Sequence, residues 1–175
     1  VHNADLSIED STFQECASKS KYNLQLDSSS KSDSIACHCI LIDENLNNKV
    51  TINNCNFLDN GYEDKSDGTI IFSNKASNIE ILFSLFKSEK KFARAFQSIY
   101  DKEIIFTSNS FFKMIGPIGQ NGGAILIQFS TNASVCDCIF DSNTLQSFFN
   151  DSSEKIQGSA IFINLNESFT FINNT

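Results

Sequence analysis

Tryptophan is absent from this chain and proline occurs once, alongside 7 glycines. That composition excludes collagen-like structure and proline-rich linkers. Basic residues are scarce too: 13 Lys and Arg stand against 21 Asp and Glu, a net charge of −8. Nucleic-acid binding needs a basic stripe, so no nucleic acid is expected as a partner. No apolar run approaches the roughly 18–20 residues of a membrane helix, so this segment is expected to make no membrane contact itself. The start, Val1-His2-Asn3, has neither an initiator Met nor a signal peptide. The expectation is therefore a piece of a longer chain, truncated at both ends.

What the chain does have is phenylalanine, 17 of its 175 residues, and a phrase that repeats around it. The phrase is apolar, any, apolar, two further residues, a small or polar residue, any, Phe. It runs from Leu6-Ser7-Ile8 to Ser11 and Phe13, and from Val50-Thr51-Ile52 to Cys55 and Phe57. Ile79-Glu80-Ile81 leads to Ser84 and Phe86, and Ile104-Ile105-Phe106 to Asn109 and Phe111. Ala133-Ser134-Val135 leads to Cys138 and Phe140, and a sixth copy starts at Phe169-Thr170-Phe171 and reaches Asn174. The copies recur roughly every 25 to 44 residues, the period of a solenoid. The apolar-any-apolar part alternates as a half-buried strand does. A turn follows, and the x-Phe part resumes with Phe inward.

Between copies lies a second strand signal, clearest in Gly122-Gly123-Ala124-Ile125-Leu126-Ile127. Gly158 to Ile163 and Asp67 to Phe72 repeat it weakly, and Cys37 to Ile42 keep its apolar half. These signals predict an all-β fold: a right-handed parallel β-helix of about six rungs, residues 1–175 forming one segment. Equivalent residues then stack about 4.8 Å apart, giving a column roughly 25 to 30 Å long. Phe13, Phe57, Phe86, Phe111 and Phe140 form one inward ladder. A further degenerate turn could hide around Leu24-Gln25-Leu26. Leucine-rich repeats and WD propellers are excluded by their missing signatures. The intervals ahead of the glycine signals vary most in length, and insertions that cluster at one point of a repeat project from one face.

Gly122-Gly123-Ala124-Ile125, Phe57-Leu58-Asp59-Asn60 and Phe140-Asp141-Ser142-Asn143 resemble the paired GGA[ILV] and FxxN tetrapeptides of polymorphic outer membrane protein repeats. Those repeats belong to the pectin-lyase-like right-handed β-helix proteins. At the other Phe positions, Cys16, Glu89 and Met114 stand where Asn is expected. The family includes bacterial surface adhesins, and similar proteins occur in surface families of anaerobic protists. The resemblance thus implies adhesion.

Each residue that could carry chemistry also has a plainer role. The pairs Cys37/Cys39 and Cys136/Cys138 put both sulfurs of each pair on one strand face. Their spacing departs from the C-x₂₋₄-C of structural zinc sites, so no metal site is expected. Cys55 and Cys138 share a ladder position but lie roughly 14 Å apart, beyond the ~7 Å Cα limit of a disulfide. The cysteines read as small inward hydrophobes, with Cys136 as an exposed thiol. His2 and His38 suggest packing or solvent contact. Asp59, Asp64 and Asp67 could hold calcium, but no EF-hand or glycine-aspartate repeat supports it. The single arginine, Arg94, reads as part of a solvated strand edge or loop. Neither polygalacturonase-like nor pectate-lyase-like signatures occur, so no catalytic residue and no cofactor is expected. Asn132, Asn150, Asn166 and Asn173 begin N-x-S/T sequons, about as many as chance gives in this composition. Tyr22, Tyr62, Phe148 and Phe149 are loop aromatics placed to make contacts, although Phe148 and Phe149 equally fit a small core beneath their loop.

The expected function is that of a non-catalytic adhesion or interaction stalk, on a cell surface or secreted, binding a host or cell-surface protein or glycan through loops on one face. The alternative is a carbohydrate-active β-helix, lyase-like or hydrolase-like, whose active site is lost or lies outside this segment.

Overall fold

The computed structural model describes residues 4–17, 21–24, 33–61, 68–89, 91, 93–116, 122–145 and 160–175. In chain order the strands are β1 (Leu6–Glu9), β2 (Thr12–Gln14), β3 (Lys21–Leu24), β4 (Asp33–Asp43), β5 (Lys49–Asn53) and β6 (Asn56–Leu58). There follow β7 (Thr69–Asn74), β8 (Asn78–Leu82), β9 (Leu85–Lys87), β10 (Arg94–Ile99), β11 (Glu103–Thr107) and β12 (Ser110–Phe112). The last are β13 (Ile115–Gly116), β14 (Ile125–Cys136), β15 (Ile139–Asp141), β16 (Thr144–Leu145) and β17 (Ile161–Ile172). Among the described residues there is no helix.

The strands stack in parallel columns, as in a β-solenoid. In the first column β1, β5, β8, β11 and the second halves of β14 and β17 pair in register, aligning Ile8, Ile52, Ile81, Phe106, Val135 and Phe171. In the second, β2, β6, β9, β12 and β15 align Phe13, Phe57, Phe86, Phe111 and Phe140. In the third, β4, β7, β10 and the first halves of β14 and β17 align Ile40, Ile71, Phe96, Ile125 and Ile161. The second column carries the phenylalanine ladder, its successive ring centroids 4.9, 4.6, 5.1 and 4.9 Å apart. Phe57, Phe86 and Phe111 are wholly buried.

Three corners close each turn. At most of them a residue other than glycine takes φ between 47° and 60°, the corner after β9 being an exception. Asp10, Asn54, Phe83, Ser108, Asp137 and Asn173 form the first corner, after the first column. Glu15, Asp59, Lys113 and Ser142 form the second, after the Phe strands, and Glu44, Lys75, Tyr100 and Phe129 the third. The left-handed step swings the following residue back inside, where its side chain ties two rungs together. Asn60 accepts the Cys16 N–H at 2.9 Å and donates to the Phe13 carbonyl at 3.1 Å. Asn143 does the same for Met114 and Phe111. The Asn of each intact FxxN phrase is thus a clamp on the neighbouring rung, buried at Asn60 and half-buried at Asn143. Asn109 clamps Ser84 and Ile81, and Asn174 clamps Cys138 and Val135, at the first corner.

Glycine matters most at Gly122. Its φ is +74°, and a Cβ there would lie 2.3 Å from the Ile125 carbonyl oxygen. Of the stretch around Leu24 that could hide a further turn, Leu24 itself lies in β3, which pairs antiparallel with β4, Tyr22 opposite Ile35. Gln25 and Leu26 lie outside the described residues.

Candidate functional site

The described residues among those singled out in the sequence are spread over separate elements. All six cysteines are free thiols, and Cys55 and Cys138 are buried at the first corner. Cys37 and Cys39 do not share a face. A register slip between Cys37 and Ile40 interrupts the alternation, and such a bulge re-aims side chains. Cys37 packs outside, against Phe72 and Ile99, whereas Cys39 packs on the main core. His38 between them is buried. Cys136 is half-buried, 3.3 Å from the Ser134 hydroxyl, and is not the open thiol expected. Among the described residues no three His, Cys, Asp or Glu gather as metal ligands. Asp64 and Asp67 lie outside the described residues, and Asp59 accepts the Glu89 N–H at 2.6 Å.

Arg94 corrects the reading of a solvated edge. It is fully buried, its Nε donating to the Gly122 carbonyl at 2.7 Å and a terminal nitrogen to Gln97 Oε1 at 2.6 Å. Burial pulls its pKa down to about 9. The guanidinium serves as internal scaffolding of the third column.

The sequons and loop aromatics are scattered. Asn132 is half-buried and accepts the Ser168 hydroxyl at 2.6 Å, while Asn173 is exposed on the first corner. Asn166 and Tyr22 lie in β17 and β3, with side chains outside the described set. Asn150, Tyr62, Phe148 and Phe149 lie outside the described residues altogether.

The feature that does stand out is the third corner. Its outward column reads Glu44, Lys75, Tyr100, Phe129, one residue from each of four successive rungs. Lys75 pairs with Glu44 at 3.4 Å. Tyr100 and Phe129 are stacked, centroids 5.4 Å apart and planes 23° from parallel, and remain 44% and 41% exposed. Leu46, 56% exposed, lies two residues beyond Glu44. Backbone bonds fix the corner: the N–H groups of Glu44, Lys75 and Tyr100 donate to the carbonyls of Asn74, Ile99 and Gln128 on the next rung.

Behind the aromatic pair lies a buried polar cluster. Asp101 and Ser130, the residues after Tyr100 and Phe129, point inward. Asp101 accepts the Ala76 N–H at 2.7 Å and the Ser98 hydroxyl at 2.6 Å. Ser130 lies 2.9 Å from Ser98 and accepts the Asp101 N–H at 3.1 Å. Burial pushes the Asp101 carboxyl up to about 6, against the pull of these hydrogen bonds. The two rings therefore project from a corner fixed on its inner side. They are suited to contact a partner, since exposed rings held in place offer apolar area at small entropic cost.

Tyr100 and Phe129 escaped the sequence reading. Aligning Thr69–Asn74 with Arg94–Ile99 and Ile125–Gln128 would have placed both in one slot with Lys75. A 580 Å³ hollow lined by Phe140, Ile161, Ile163, Phe169 and Phe171 opens at the last rung. Its Ile161, Ile163, Phe169 and Phe171 hold the inward register positions of Ile125, Ile127, Ala133 and Val135. The hollow is core carried to the end of the stack. The chain matches no family model, no curated protein and no solved structure.

Proposed function

We propose that this chain is a non-catalytic interaction stalk, of the kind used in adhesion at a cell surface or by a secreted protein. The observation that carries the reading is the exposed Tyr100–Phe129 stack on the rigid third corner. The intervals that vary most in length, Ala17 to Asp33, Gly61 to Lys65, Ile115 to Gln120 and Leu145 to Gln157, each precede a strand of the third column in the sequence. The Tyr100–Phe129 edge is the surface offered to a cell-surface protein or glycan. Burial of Arg94 supports the non-catalytic reading, because it removes the one arginine from any solvent-exposed strand face. The finer fold assignment is a right-handed β-helix of the polymorphic outer membrane protein type. Parallel strands in one sheet are joined with a right-handed crossover in nearly all known cases, and two FxxN phrases and one GGAI phrase support the family.

The test is a binding screen on glycan and extracellular-matrix protein arrays, comparing the wild type with a Tyr100→Asn/Phe129→Asn double variant. Asparagine tolerates the left-handed corner, so the variant keeps its fold. Loss of at least tenfold in binding is expected. Equal binding by both proteins removes the corner from the interaction, and cleavage of any polyuronide overturns the non-catalytic reading.

A further inference from the structure

The phenylalanine ladder runs up to Phe140, which lines the 580 Å³ hollow at the last rung. On its lower face Phe140 stacks on Phe111, centroids 4.9 Å apart and planes 9° from parallel. Thr175 sets the next step of the column. Its N–H donates to the Cys138 carbonyl at 3.0 Å, and its carbonyl accepts the Phe140 N–H at 2.7 Å. Thr175 therefore lies over Ile139 as Ile139 lies over Ser110. The place over Phe140 belongs to the hollow, walled by Ile161, Ile163, Phe169 and Phe171. Phe169 and Phe171 are 44% and 52% exposed. Charge is scarce here: residues 156–175 carry one charged side chain, Glu167, in a chain of net charge −8.

The rungs below show what such a place accepts. Phe57 and Phe140 each open a Phe-x-x-Asn phrase, and each ring stacks on the Phe of the rung beneath. The Asn of each phrase donates to that lower Phe's carbonyl, Asn60 to Phe13 at 3.1 Å and Asn143 to Phe111 at 3.0 Å. The same Asn accepts the N–H three residues after the lower Phe, at Cys16 and at Met114. On the last rung the Phe140 carbonyl and the Asn143 N–H hold those two places.

We propose that this rung is a docking site for a Phe-x-x-Asn segment of a partner protein. The segment adds in extended form over β15, its ring stacked on Phe140 and its Asn bridging the Phe140 carbonyl and the Asn143 N–H. The neutral, apolar walls suit a phenyl ring. A folded second copy does not fit. Its β6, β9 and β12 are paired on both edges within their own column. Seating its β2 over β15 would bring its β1, on the same rung, into the place that β17 occupies over β14. Its β15 lies one rung below its own β17. The site does not depend on the Tyr100–Phe129 edge.

The test titrates the 175-residue chain, its isoleucine methyls labelled for NMR, with the capped peptide Asn-Phe-Leu-Asp-Asn, the sequence of residues 56–60. Saturable binding is expected, with the Ile161 and Ile163 methyl signals shifted by the incoming ring. Replacing the peptide's Phe by Ala should weaken binding roughly tenfold or more. Replacing its last Asn by Ala should weaken it about fivefold. Failure to saturate overturns the proposal, and so does equal binding of the Phe and Ala peptides. Equal binding after loss of the last Asn removes the bridge and overturns the Phe-x-x-Asn assignment. Shifts confined to isoleucines away from the last rung place the peptide elsewhere and overturn it too. Growth of the same shifts with chain concentration alone gives the hollow to a second copy and overturns the partner segment.

Discussion

At the scale of single residues, the fold is decided at the corners by pairs: a left-handed residue followed by an inward clamp. Of the six first-corner residues Asp10, Asn54, Phe83, Ser108, Asp137 and Asn173, four are Asn or Asp and a fifth is the polar Ser108. Phe83 is the misfit, 60% exposed with φ at 49°. A bulky side chain in this region costs roughly 1–2 kcal/mol, which asparagine largely avoids. Phe83→Asn should therefore stabilise the chain by about 0.5–1 kcal/mol, read as a higher urea midpoint at unchanged slope. The clamp works in the opposite direction. Asn109 is fully buried, accepts the Ser84 N–H at 2.8 Å and donates to the Ile81 carbonyl at 2.6 Å. Asn109→Ala leaves both backbone groups buried and unpaired, and should cost about 2–4 kcal/mol in the same titration.

At the scale of elements, the Phe strands show how stacking turns a three-residue strand into a stable unit. β2, β6, β9, β12 and β15 are each three residues long, too short to persist alone, yet their rings stack face to face. Phe86, stacked on both sides and wholly buried, should cost about 3–5 kcal/mol on replacement by Ala. Phe13→Ala, at the half-buried end of the ladder, should cost less, about 1–2 kcal/mol. Equal losses at the two positions would argue against a continuous ladder. The ladder was legible in the sequence because its cause is local: one Phe at a fixed distance after each alternating pair. The inward clamps were half legible, since FxxN marks Asn60 and Asn143 at the second corner but not Asn109, which sits at the first corner, ahead of Phe111. The Cys39 bulge and the buried Arg94 were not legible. Both depend on which rung lies alongside, and no single stretch of residues encodes that. Tyr100 and Phe129 were hidden for a similar reason, because each is unremarkable until the two rungs are aligned.

At the scale of the whole molecule, one buried carboxyl couples stability to pH. Asp101 lies inside the third corner, joining Ala76, Ser98 and Ser130 across three rungs. Burial raises its folded pKa from 3.8 to about 6. Below pH 4 the carboxyl is protonated in both the folded and unfolded chains, and the raised value contributes nothing against folding. Between about 4 and 6 the folded chain holds a proton that the unfolded chain releases, so stability falls as pH rises. Above 6 the full cost is present, about 3 kcal/mol for a shift of roughly two units. The net charge of −8 adds repulsion of the same sign as acidic groups ionise, so the wild-type slope alone does not isolate Asp101. Asp101→Asn does. Its amide oxygen can still accept the Ala76 N–H and its NH₂ can donate to the Ser98 hydroxyl, while the titrating proton is gone. Urea midpoints measured from pH 4 to pH 7.5 should therefore fall more steeply for the wild type than for the variant, and the two curves should run parallel above pH 7. Parallel curves across the whole range would show that Asp101 titrates like a surface carboxylate, and would remove the polar cluster behind Tyr100 and Phe129 as a pH-sensitive tie between rungs.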